Sequence, residues 1–99
     1  SNFKLQGFIS INNKNHALVK YREKTGVINI DSIGGLNTKL IPLDSYVKEI
    51  NPQEEELIIM IDNEKYNIKL GKWYILQTKL KFLKTPLLRL LYKKLIIQY

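Results

Sequence analysis

The chain has no cysteine, a single histidine and no hydrophobic run long enough to cross a bilayer. Without thiols, a disulfide framework, a thiolate metal site and a cysteine nucleophile are all excluded. One imidazole, His16, is too few for a metal site of the usual ligand count. The longest apolar stretch, Leu87–Tyr99, contains Arg89, Lys93 and Lys94 and falls short of the about 20 apolar residues that a spanning helix needs.

The sequence also lacks the patterns that identify common catalytic sites. Ser10 or Ser32, together with His16 and Asp31 or Asp44, could supply the residue types of a triad, but no nucleophile elbow is present. Neither a GxGxxG loop nor a P-loop lysine pattern occurs. We therefore predict that the protein is not an enzyme and that it holds no cofactor and no metal ion.

Acidic residues are absent from the last third of the chain, where the net charge of +7 resides. Residues 1–68 carry eight Lys/Arg and nine Asp/Glu, whereas residues 69–99 carry eight Lys/Arg and no acid. This charge favours an acidic partner, which could be nucleic acid, an anionic membrane surface or an acidic protein; a solubilising face is the alternative. The predicted basic surface consists of Lys79, Lys81, Lys84, Arg89, Lys93 and Lys94.

What is abundant is short alternation of apolar and polar residues, which is typical of half-buried strands. Phe3–Ile11 alternates around Gly7, where we predict a bulge or a close backbone approach, and His16–Tyr21 follows after an Asn-rich turn. Gly26–Gly35 is the middle of this pattern, and its Val27–Ile30 run is predicted to pair with the preceding strand as a hairpin.

Further strands are predicted in the second half. Leu40-Ile41 is a brief candidate, and Tyr46–Ile50 alternates with Tyr46, Lys48 and Ile50 on one face. Leu57–Ile61 lacks alternation, which indicates a strand buried on both faces. Lys65–Leu70 alternates again. The spacing predicts a mainly β fold, a small antiparallel barrel or sandwich of six to seven short strands, with residues 1–99 as one domain and 3–70 as its β core.

Residues 71–99 form a basic, apolar C-terminal segment that we predict to be a strand followed by a helix. Thr85-Pro86 has the residue types of a helix start, and Leu87–Tyr99 has the spacing of a basic amphipathic helix. That helix could close one end of the barrel, bind a partner or lie on a membrane surface.

Four short segments share a pattern with one known family of small β-domains: Leu5-Gln6-Gly7, Ala17-Leu18-Val19, Asp31 through Gly34, and Tyr46–Ile50 followed by Leu57–Ile61. On these segments, residues 5–70 resemble the small periplasmic β-domain of the pilus-assembly protein PilP and the homology region of the type II secretion protein GspC. The chain departs from this family at Ile30, where the family usually has a glycine before the aspartate.

The resemblance implies a non-catalytic adaptor, periplasmic and associated with the inner membrane, that binds a segment of a neighbouring protein in a pilus or secretion assembly. Without the resemblance, a cytoplasmic location is expected. An open sheet can accept a partner strand at its edge, and Pro42 favours an edge position for its neighbourhood. The predicted partner-binding residues are Leu40, Ile41, Tyr46, Val47 and Lys48.

Nucleic-acid binding is the alternative function. Aromatic residues are interleaved with the basic residues of the C-terminal third, and on an OB-like barrel such a mixture can stack bases and contact phosphates. These aromatic residues are Tyr66, Trp73, Tyr74, Phe82, Tyr92 and Tyr99.

Overall fold

The computed structural model describes residues 2–76, which form seven short strands in two antiparallel sheets. The mainly β fold is therefore as predicted, although the sheets do not close into a barrel. The strands are β1 (Phe3–Ile11), β2 (Lys14–Tyr21), β3 (Lys24–Ile28), β4 (Ser45–Asn51), β5 (Glu56–Ile61), β6 (Glu64–Lys69) and β7 (Trp73–Tyr74).

The first sheet has the strand order β3-β2-β1-β7. Asn12 and Asn13 connect β1 to β2 with φ angles of 51° and 64°, a left-handed conformation that asparagine tolerates better than most residues. The β1–β2 register shifts between Leu5 and Gly7, which confirms the predicted bulge. A second two-residue turn, Arg22-Glu23, leads into β3.

The second sheet has the order β4-β5-β6 and turns between β5 and β6 at Asp62-Asn63. Its central strand, β5, is buried on both faces, as its unbroken apolar sequence predicted. Leu57 and Ile59 face the core, and Ile58, on the opposite face, is only 5% exposed.

The core lies between the two sheets. Leu5 and Val19 from the first sheet and Ile59 and Ile68 from the second are completely buried in one cluster. Each such aliphatic side chain stabilises the fold by about 1.5–3 kcal/mol through removal from water. The sheets are also joined by backbone, since the N–H of Gly71 donates to the carbonyl oxygen of Leu5 at 2.9 Å.

Hydrogen bonds connect the two ends of the described chain, Asn2 and Leu76. The amide group of Asn2 donates to the carbonyl oxygen of Leu76 (3.2 Å) and accepts from the Leu76 N–H (2.9 Å). The Tyr21 hydroxyl donates to the same Leu76 oxygen at 3.3 Å. Leu76 itself is fully buried and belongs to the core.

Two sequence predictions are wrong at the level of single elements. Leu40-Ile41 is not a strand: it lies in a loop of bends and turns, because Ile41 is drawn into the core while the chain turns towards β4. In β4, Val47 pairs with Ile59 and Ile50 pairs with Leu57, so Val47 and Ile50 share the inner face. The extra residue at Lys48 is a bulge, which inverts the expected alternation.

The strand predicted after residue 70 is present as β7, and the rest of the predicted C-terminal segment, including the Leu87–Tyr99 helix, lies outside the described residues. Over residues 2–76 there is no helix with the length and hydrophobicity needed to traverse a bilayer.

Candidate functional site

The outer edge of β3 is a regular open edge within residues 2–76. β3 is the last strand of its sheet and pairs with β2 over five consecutive residues without a bulge. Within the described range, the backbone of Lys24–Ile28 makes no main-chain hydrogen bond outside this ladder. An open row of backbone donors and acceptors is what a partner strand requires.

The register tells which β3 groups face outwards. Tyr21 and Lys24 flank a two-residue turn and therefore form a hydrogen-bonded pair. Bonded and non-bonded pairs alternate in an antiparallel ladder, so the pairs made by Thr25 and Val27 are non-bonded. The N–H and C=O groups of Thr25 and Val27 consequently point away from β2.

The edge of β4, which the sequence favoured, is covered over its first half. The segment Ser32–Gly34 runs beside it: the Gly34 N–H donates to the Ser45 carbonyl oxygen (2.8 Å), and the Val47 N–H donates to that of Ser32 (3.3 Å). The second half begins with the bulge at Lys48. A bulge disturbs the regular spacing that an added strand needs, so this edge is less suited to pairing than β3.

The five residues predicted to bind a partner have different environments. Ile41 and Val47 are 2% exposed and belong to the core. Leu40 is half-buried against Gly26, in the position that a Cβ of residue 26 would occupy. Tyr46 and Lys48 have exposed side chains. A role of these residues in binding stays a prediction.

The outer face of the β3-β2-β1-β7 sheet is unusually apolar beside the β3 edge. Val27 lies opposite Leu18, which in turn lies opposite Gly7. Val27 and Leu18 are 43% and 36% exposed, and the neighbouring Ile9 is 49% exposed. Space at Gly7 is open, since no atom lies within 4 Å of where a Cβ would stand. A strand added to β3 would extend this apolar surface.

A depression of about 820 Å³, which we call the loop groove, lies between the β2–β3 turn and the loop of residues 35–43. Three basic side chains, Arg22, Lys24 and Lys39, line it together with Glu23. Its apolar lining residues are Tyr21, Leu36, Ile41, Pro42 and Leu43. The sequence prediction placed Leu40 and Ile41 of this loop among the partner-binding residues, but it did not single out Leu36 and Leu43, the other two leucines of the segment GLNTKLIPL.

Perturbed ionisable groups lie on β5 and β6 and have structural explanations. The Lys69 ammonium group lies 3.0 Å from the Glu56 carboxylate. Hydrogen bonds from Lys69 and Asn67 lower the pKa of Glu56. Burial, together with the Glu64 carboxylate, raises the pKa of Tyr66. Neither Glu56 nor Tyr66 lines the loop groove.

Two residues of the types that a triad requires, His16 in β2 and Ser32 in the loop after β3, make hydrogen bonds with nearby residues. His16 Nδ1 lies 3.0 Å from the Lys14 carbonyl oxygen, and its Nε2 lies 3.4 Å from the Asn29 amide nitrogen. Ser32 Oγ accepts from the Asn29 N–H at 2.9 Å. Between residues 2 and 76, no three acidic or histidine side chains are grouped in a way that could hold a metal ion.

The predicted basic surface lies outside the described range. Its six residues are Lys79, Lys81, Lys84, Arg89, Lys93 and Lys94.

No model of a known protein family matches the chain, and no curated protein and no solved structure is significantly similar to it. The relation to PilP and GspC thus stays a prediction based on short motifs.

Proposed function

We propose that this protein is a non-catalytic interaction module that binds an extended segment of a partner protein by strand addition along β3. The observation that carries the proposal is the regular, uncovered edge of β3 within residues 2–76, with the backbone groups of Thr25 and Val27 directed outwards. In strand addition, main-chain hydrogen bonds supply affinity and the alternate side chains of the partner supply specificity.

The neighbouring surface supports the same mode of binding. A partner strand beside β3 would place every second side chain on the sheet face that carries Val27 and Leu18. One of these side chains would lie next to Val27. Val27 and Leu18 are exposed apolar residues, so an apolar side chain of the partner at this point would be removed from water together with them. The partner segment is therefore expected to alternate apolar and polar residues.

The adaptor role in a pilus or secretion assembly is part of this proposal and is supported by the resemblance to PilP and GspC. In such an assembly the module would hold one protein next to another without altering either chemically. The periplasmic location and the membrane association of that assembly depend on the resemblance alone.

Replacing Val27 with proline tests the β3 edge. Proline removes the outward N–H of residue 27 but leaves the β2–β3 hydrogen bonds, which are made by the alternate residues, in place. A photo-crosslinker at position 25 first identifies the partner in cells. The purified partner should then bind Val27→Pro about tenfold more weakly, because one backbone hydrogen bond to the partner strand is lost.

The matched control is Val27→Thr, which changes the same exposed side chain and keeps the N–H. This variant should bind the partner nearly as tightly as the unmodified chain does. The melting temperatures of both variants should lie within a few degrees of that of the unmodified chain. Equal affinity of Val27→Pro and Val27→Thr would contradict the proposal.

Nucleic-acid binding through the basic C-terminal third is the second candidate, favoured by the absence of acidic residues after residue 68. The same chain can be titrated with oligonucleotides at increasing salt, because phosphate contacts weaken steeply with ionic strength. Absence of binding at low salt would eliminate this candidate.

A further inference from the structure

The three most exposed large apolar side chains within residues 2–76 lie at one end of the molecule. Leu36 is 76% exposed, Ile75 is 58% exposed and Leu43 is 57% exposed. Leu36 and Leu43 line the loop groove, together with Tyr21. Ile75 precedes Leu76, whose carbonyl oxygen accepts the Tyr21 hydroxyl hydrogen bond. Scattered exposed leucines are ordinary, but such a grouping indicates a contact surface.

The loop that carries the two leucines has a defined structure. Gly34 is bonded on both sides: it donates to Ser45 and accepts from the Asp44 N–H at 3.2 Å. Gly35 donates to the Thr38 carbonyl oxygen at 3.0 Å, and the Leu43 side chain fills the space where a Cβ of residue 35 would stand. The leucines are thus presented by a well-bonded loop.

The charges that line the loop groove are mainly positive. Arg22, Lys24 and Lys39 line the same groove, and Glu23 is the one acidic residue among its lining residues. This excess of positive charge would attract an anionic surface.

We propose that this end of the molecule binds the surface of an anionic lipid bilayer. Leu36 and Leu43 enter the boundary between headgroups and acyl chains, while Arg22, Lys24 and Lys39 contact the lipid phosphates. A bilayer fits better than a peptide in the groove, because Leu36 and Leu43 are more exposed than Tyr21, Ile41 and Pro42. The inference goes beyond the proposed strand addition and uses a different surface.

Co-sedimentation of the full chain with lipid vesicles tests the proposal. The protein should bind vesicles that contain phosphatidylglycerol more tightly than vesicles of phosphatidylcholine alone, and salt should weaken the binding. The double variant Leu36→Ser, Leu43→Ser should lose about tenfold or more in affinity for the anionic vesicles, since two leucines no longer leave water.

Ile30→Ser is the matched control. Ile30 is 54% exposed and lines a separate depression that shares no residue with the loop groove, so its replacement should leave vesicle binding unchanged. Leu36→Ser alone should reduce affinity in the same direction as the double variant. Because the Leu36 side chain is mostly in solvent, this single variant keeps the test valid if the double variant is unstable.

Two results would overturn the proposal. One is vesicle binding by the leucine variants that equals that of the unmodified chain, which would assign the membrane contact to residues 77–99. The other is an absence of binding to anionic vesicles by the unmodified chain. Neither result affects strand addition, because the Val27→Pro comparison is made without lipid.

Discussion

Gly34 and Gly35 have no room for a side chain, whereas the space beside the Gly7 Cα is open. At Gly34 a Cβ would overlap the carbonyl oxygen of Pro42, so the two chain segments can approach only because residue 34 is glycine. Gly35 has a φ of 84°, in the left-handed region that glycine adopts without strain. These two residues therefore fix the start of the loop that carries Leu36.

Gly34→Ala should lower the free energy of unfolding by about 1–3 kcal/mol, because the added methyl group must displace backbone atoms of Pro42. Urea denaturation measures this change. The control is Gly7→Ala, which meets no atom within 4 Å and should stay within about 0.5 kcal/mol of the unmodified chain. Equal stability of the two variants would show that the close approach at Gly34 does not exist in solution.

At the scale of elements, alternation in the sequence was sufficient to predict strands near β1, β2, β4 and β6, and the lack of alternation in Leu57–Ile61 predicted the double-sided burial of β5. The alternation pattern misled at two places. It failed at Lys48, because a bulge arises from pairing with a distant strand and leaves no local pattern. It failed at Leu40-Ile41 because apolar residues before a proline can enter the core from a loop as well as from a strand.

The Glu56–Lys69 ion pair between β5 and β6 makes the stability of the fold depend on pH. The pKa of Glu56 is lowered in the folded protein, so this group stabilises the fold above its unfolded pKa, and the contribution disappears as the pH falls through the folded value. Glu56→Gln should therefore be less stable than the unmodified chain at neutral pH.

Thermal unfolding of both proteins across the acidic range measures this difference. It should be small, because Lys69 is half exposed, and it should vanish once Glu56 is protonated. A difference that stays constant from neutral to acidic pH would mean that the carboxylate charge is not involved.

At the scale of the whole molecule, the side chains proposed to lie against a partner strand or a bilayer are exposed and do not belong to the core; they are Val27, Leu36 and Leu43. The β3 edge and the loop groove share Lys24, so a partner strand and a bilayer would approach the protein from adjacent sides. The β3 edge was not predicted from the sequence as a binding surface, whereas Ile41, which lines the loop groove, was among the predicted partner-binding residues. Openness of an edge depends on strand order, and the groove depends on contacts between residues 21–24 and 35–43, which are distant in the chain.

Amide hydrogen exchange of the free, full-length protein, followed residue by residue, tests most directly whether the β3 edge is open. The account predicts alternation within one strand: the amides of Gly26 and Ile28, bonded to β2, exchange slowly, whereas those of Thr25 and Val27 exchange quickly. Slow exchange at all four positions would show that the edge is already covered, and would contradict strand addition at this site.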